Sequence, residues 1–180
     1  MKKYPFLIIA ILSLVVLASG CVTNNNSNST KTYSQNGLYF VYNGTWEIAN
    51  VTSTVPNAVV AVGDPSNVNP TTHQPLTFVL IQKANVTQGT DLQTAYNQNY
   101  LMFFNNTTNQ RVSEANITVS NNSAYENVYT TTSGGVQTEM RAVWVQQNGV
   151  IYVILCGTPP GNFQNEQNNF NLVVNSFKVQ

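Results

Sequence analysis

Few side chains in this sequence can do chemistry, and they do not assemble into a catalytic set. His73 is the single histidine. It stands in Thr71-Thr72-His73-Gln74 with no thiolate or carboxylate at metal-ligand spacing, so it reads as a solvated loop residue. Cys156 closes the run Ile151-Tyr152-Val153-Ile154-Leu155-Cys156. A thiol beside an imidazole can act as a nucleophile, but a thiol in so apolar a run reads as a small buried hydrophobe. Asp64-Pro65-Ser66-Asn67-Val68-Asn69 offers oxygens of the kind calcium takes. Val68 falls where a third oxygen is needed, and no bidentate acid follows at the required distance. The segment reads instead as a turn held by side-chain to backbone hydrogen bonds. Glu139 and Arg141, two apart in a strand-like run, share a face; they fit an exposed ion network or a polar anchor in a groove. Glycine-rich phosphate loops and nucleophile elbows are missing, since Gly134-Gly135 falls in a hairpin. The sequence therefore predicts a non-enzyme with no cofactor and no metal.

Cys21 carries a different chemistry. Met1–Pro5 holds two lysines, Phe6–Leu17 is apolar apart from Ser13, and Ala18, Ser19 and Gly20 are small. That order is the three-part build of a secretory signal. The apolar run is about 12 residues, short of the roughly 20 that span a bilayer. A cysteine directly after the small residues makes Leu17-Ala18-Ser19-Gly20-Cys21 resemble a lipobox, although Leu17 is one place early and Ala18 stands where Leu is commoner. The expectation is cleavage before Cys21, a lipid on its sulfur and attachment to the extracytoplasmic face of the membrane. An uncleaved signal anchor and a plain secretory signal cut elsewhere are the alternatives. A lipidated Cys21 leaves Cys156 without a disulfide partner in the chain.

Composition narrows the partners. The formal charge is zero, and loss of Lys2 and Lys3 with the signal leaves Lys31, Lys83, Arg111, Arg141 and Lys178 against seven acidic residues. Such a surface has no electrostatic footprint for nucleic acid and no polybasic membrane patch. Amides and hydroxyls must keep it in solution. Asn-X-Ser/Thr sequons occur at Asn25, Asn28, Asn43, Asn50, Asn85, Asn105, Asn106, Asn116 and Asn121, each a possible N-glycosylation site on an exported chain. Low charge with many sequons resembles the composition of archaeal surface proteins.

The elements that must position these residues fall in a simple order. Residues 1–20 read as the signal peptide and 21–32 as a flexible Asn/Ser/Thr-rich tether. Residues 33–180 read as one domain of ordinary size. Leu38–Tyr42 is a strand closed by Asn43-Gly44, with Trp46 next. Ala58–Val62 and Thr77–Ile81 are apolar strands joined by a loop. Thr90-Asp91-Leu92-Gln93 reads as a capping box with Thr90 as the cap, opening a helix that runs to about Phe104. Strands follow over Val112–Val119, Ala124–Thr131, Val136–Gln146 and Gly149–Cys156. Asn148-Gly149 accepts the positive φ of a type I′ hairpin. The unbroken apolar run Ile151–Leu155 predicts a central strand covered on both faces. Phe163, Phe170, Val174 and Phe177 form one stripe of a C-terminal helix. The sum is an α+β layered domain with a mainly antiparallel sheet. Tyr96, Tyr100, Phe103 and Phe104 crowd the first helix, so it is either covered on two sides or leaves a contact patch for a partner.

The landmarks also resemble a family. Tyr33-Ser34-Gln35-Asn36-Gly37-Leu38-Tyr39-Phe40-Val41-Tyr42 followed by Gly44-Thr45-Trp46, the middle helix, the late meander and the ending Asn175-Ser176-Phe177-Lys178-Val179 are similar to PsbP-like domains, from about Tyr33 to Val179. These are packing landmarks. The resemblance implies an α/β/α sandwich around a central antiparallel sheet, in lipoprotein form, acting as a non-catalytic accessory or binding module. Two functions stay open: a module binding a protein or envelope component, and a lipoprotein that binds a solute or metal for a transporter.

Overall fold

The computed structural model describes residues 29–49, 55–133 and 135–180. The expected signal segment, Cys21 and the sequons at Asn25, Asn28 and Asn50 lie outside the described residues. Ten strands and two helices follow in the order β1 (Thr30–Gln35), β2 (Leu38–Asn43), β3 (Glu47–Ala49), β4 (Ala58–Gly63), β5 (Phe78–Lys83), α1 (Leu92–Phe103), β6 (Gln110–Val119), β7 (Asn122–Ser133), β8 (Val136–Gln147), β9 (Val150–Thr158), α2 (Phe163–Ser176) and β10 (Lys178–Val179). The α+β reading holds: the sheets are antiparallel and a helix lies on each face of the larger one.

That sheet has seven strands in the order β3-β4-β5-β9-β8-β7-β6. Strand β9 is central, as its unbroken apolar run predicts. Alternation sends Ile151, Val153 and Leu155 to the α1 side, and Tyr152, Ile154 and Cys156 to the α2 side. Among the described residues, three hairpins close on two residues, both with positive φ: Asn36-Gly37, Ser120-Asn121 and Asn148-Gly149. Asparagine tolerates the left-handed region and glycine enters it freely, so these turns set the strand registers.

A second, three-stranded sheet, β1-β2-β10, shares the α2 side. Sequence patterning does not foresee it as a separate sheet. Leu38, Phe40 and Tyr42 of β2 point inward to meet Phe170, Val174 and Phe177. Strand β10 is too short to reach Val41 of β2, so the Val41 N–H donates to Ser176 Oγ at 2.7 Å instead. Trp46 is buried edge-on against Phe170.

Two boundaries differ from expectation. Pairing begins at Thr30, three residues ahead of the expected domain start, and Lys31 Nζ donates to the carbonyl of Trp46 at 2.9 Å. The cap of α1 is Asp91, whose carboxylate accepts from Thr94 N at 2.9 Å and Thr94 Oγ1 at 2.7 Å. Thr90 turns back to the carbonyl of Thr87. An ionised acceptor competes better than a hydroxyl for the free N–H groups at a helix start.

Candidate functional site

The face of the sheet under α1 is built of rings. Tyr96 and Tyr100 on α1 pack edge-on against Trp144 of β8, and Tyr100 does the same against Tyr129 of β7. Trp144 Nε1 donates to the Tyr100 hydroxyl at 3.2 Å, and Asn127 Nδ2 donates to the Tyr96 hydroxyl at 2.9 Å. Burial raises the pKa of Tyr96, Tyr100 and Tyr129. These phenols stay neutral, so they present rings and hydroxyls and no phenolate.

Strand β6 supplies the charged wall, and a bulge makes that possible. Arg111 lies opposite Tyr129 and Ser113 opposite Val128, so Val112 is an extra residue. In a regular strand Arg111 and Glu114 would point to opposite faces. The bulge turns both to the α1 side, where they pair at 2.9 Å. The Arg111 guanidinium also lies over the Phe104 ring, 4.6 Å from its centroid. Between α1 and β6 runs an open groove of about 690 Å³ lined by Tyr96, Asn97, Tyr100, Leu101, Phe104, Asn109, Arg111 and Glu114. Asn109 is committed to the scaffold: it donates to the Phe103 carbonyl and accepts from Thr131. Asn97, Arg111 and Glu114 remain to meet a ligand's polar groups. Leu101, 72% exposed, offers the apolar contact. The arrangement suits binding: apolar rings with a few polar groups converging on them.

The four rings of α1 and its end divide between core and rim. Tyr96 and Tyr100 are buried, and Phe103 and Phe104 are half-buried. Their rings seal the sheet, so the helix is covered on one side and its exposed apolar residues are Leu101 and Met102. Sequence spacing could not show the Arg111–Glu114 pairing on this face, because no residue type announces a bulge.

The other candidates are placed elsewhere. Cys156 is fully buried, and burial pushes its thiol up to about 12; such a thiol is not a nucleophile at neutral pH. His73 is exposed on the loop between β4 and β5. Asp64 Oδ1 accepts from Ser66 N and Oγ, and Asn69 Oδ1 accepts from Thr71 N and Thr72 N; the side-chain to backbone turn is as expected. Arg141 is not part of an exposed network with Glu139. It pairs at 2.5 Å with Glu126 of β7 and donates to Asn171 of α2 at 2.7 Å, a largely buried brace between sheet and helix. Among the sequons, Asn43 is half-buried and its amide donates to Asn169 Oδ1 at 2.9 Å. Asn85, Asn105, Asn106, Asn116 and Asn121 are exposed.

Comparison with known proteins agrees with this architecture. The solution structure of cyanobacterial PsbP (CyanoP) from Synechocystis sp. PCC 6803 superposes with a TM-score of 0.63 at 15% identity, covering 90% of this chain and 99% of that one. The crystal structure of LpqN, involved in cell envelope biogenesis of Mycobacterium tuberculosis, gives a TM-score of 0.57 at 12% identity, over 84% of this chain and 91% of that one. At such identities the likeness concerns the fold. A search of curated protein sequences finds no match. The family model described as PsbP-like protein matches residues 11–179, nearly the full length, and the chain belongs to that PsbP-like family.

Proposed function

We propose that this chain is a lipid-anchored, extracytoplasmic accessory module without catalytic activity, which binds a protein or cell-envelope component through the α1–β6 groove. The observation that carries the reading is the groove itself: a ring-floored site with one exposed ion pair, and with Cys156 and His73 both outside its lining. The signal ending at Cys21 supports export and anchoring. The likeness to LpqN, whose own role concerns the cell envelope, supports an envelope partner. Replacing Leu101 by Asp places a charge at the rim with little effect on the core. Cross-linking from membranes should then lose, with Leu101→Asp, a partner that the unaltered chain captures. An identical partner set in the variant would remove the groove from this reading. Fractionation of Cys21→Ser tests the anchor; unchanged processing and membrane retention would rule out lipidation.

The groove's size favours one second reading, a lipoprotein holding a small solute for a transporter. Among the described residues no three His, Cys, Asp or Glu side chains cluster as metal ligands; it is the groove that favours the solute form of that reading. A thermal-shift screen in which no small molecule raises the melting temperature would remove it.

A further inference from the structure

Among the described residues the larger sheet has two unlike edges. One is β3, of three residues; the other is β6, of ten residues, without proline and with Gln110–Asn116 exposed. Along β6 a row of backbone N–H and C=O groups faces outward with no described strand beside it, which is a template for one more strand. We infer that this strand is β6 of a second copy, running antiparallel about a two-fold axis normal to the sheet at Ala115. The inference concerns assembly and stands apart from the identity of any groove ligand.

Side-chain order selects the register. Such an axis keeps each face of β6 on the same side in both copies. The cross-strand pairing places Arg111, Glu114, Asn116 and Thr118 on the α1 side, and Ser113, Ala115 and Ile117 on the α2 side. An axis at Ala115 matches the ends of the two strands, so the whole of β6 is paired. Glu114 then meets Asn116 of the second copy, Arg111 meets Thr118 and Ser113 meets Ile117. No like charges stand opposite one another, and the only charged residues of β6 already neutralise each other within the copy. An axis at Glu114 would set two carboxylates face to face.

The pairing also completes the groove. Leu101 lines it from α1, on the side that looks toward β6. The axis leaves both copies of α1 on one side of the sheet, so the two grooves abut above the β6 pair. Each open groove becomes half of a cleft with two walls, each wall presenting Leu101 and Phe104. One copy supplies only one such α1 wall, beside the charged residues of its own β6.

Sedimentation of the purified full chain in detergent tests the assembly: a doubled protein mass is expected, returning to the single mass with Ala115→Glu. Ala115 is exposed in the single copy, so that variant should keep the folded far-UV circular dichroism spectrum, and its melting temperature should lose the concentration dependence that a dimer confers on the unaltered chain. Cysteine cross-linking in a Cys21→Ser background keeps the test independent of that variant. Directly opposed residues of an antiparallel pair have Cα atoms roughly 4.5–5.5 Å apart, within disulfide reach. Ala115→Cys should cross-link at least about tenfold more than Thr118→Cys, which the axis holds several residues from its own copy. A single mass at all concentrations, equal cross-linking at the two positions, or a glycan on Asn116 beside the axis would each overturn the inference.

Discussion

Arg141 and Arg111 each pair with a glutamate, and their surroundings predict opposite outcomes on truncation. The Arg141–Glu126 side chains are only 11% and 17% exposed. Removing the guanidinium strands a carboxylate among apolar neighbours, so Arg141→Ala should cost about 3–5 kcal/mol in chemical denaturation. Arg111 and Glu114 are 42% and 41% exposed, and Arg111→Ala should cost about 0–1 kcal/mol. Tyr129 offers the reverse case. Among the described residues its buried hydroxyl has no hydrogen-bond partner, so Tyr129→Phe should be neutral or stabilising by about 1 kcal/mol. Legibility at this scale was uneven. The dull chemistry of Cys156 and His73 was readable from their neighbours in sequence. The partner of Arg141 was not, because it comes from the next strand over, at a register that only folding sets.

Among the elements, α1 carries the sharpest prediction. Asp91→Ala should lower the melting temperature at neutral pH, whereas Thr90→Ala should leave it nearly unchanged. The hydrogen bonds from Thr94, backbone first and then hydroxyl, hold the Asp91 carboxyl below its ordinary pKa. A lowered carboxyl pKa contributes stability above the unfolded-state value, and loses it as pH falls through the folded one. The difference between wild type and Asp91→Ala should therefore shrink in acid; a pH-independent difference would mean that the cap is not the cause. Strands β7, β8 and β9 were readable nearly residue by residue, since Asn148-Gly149 and the unbroken run in β9 are strong local signals. The β6 bulge, the short strand β10 and the division into two sheets were not. Each is fixed by long-range partners, such as Ser176 satisfying Val41, which no local pattern encodes.

At the scale of the molecule, two cores on opposite faces of one sheet meet only through β4, β5, β7, β8 and β9. Three of the PsbP-like landmarks of the sequence, Trp46, the strand of Tyr39 to Tyr42 and the ending at Phe177, belong to the α2 side, while the middle helix, α1, lies on the other face. The groove belongs to the α1 side, where the sequence showed a crowd of rings without showing which of them faced water. Cys156 sits on β9, hydrogen-bonded between β5 and β8 at the centre of this arrangement. Its burial makes it a timer for the protein's own opening. A thiol reagent can reach it only when the central strands part, so its labelling rate in native buffer reads out the rarest and largest excursion of the chain. In a Cys21→Ser background that signal comes from one sulfur and needs no introduced probe. Labelling should accelerate in urea with the full dependence of global unfolding. A shallow dependence would reveal that the sheet opens locally, on the α2 side, while the ring-packed side stays closed.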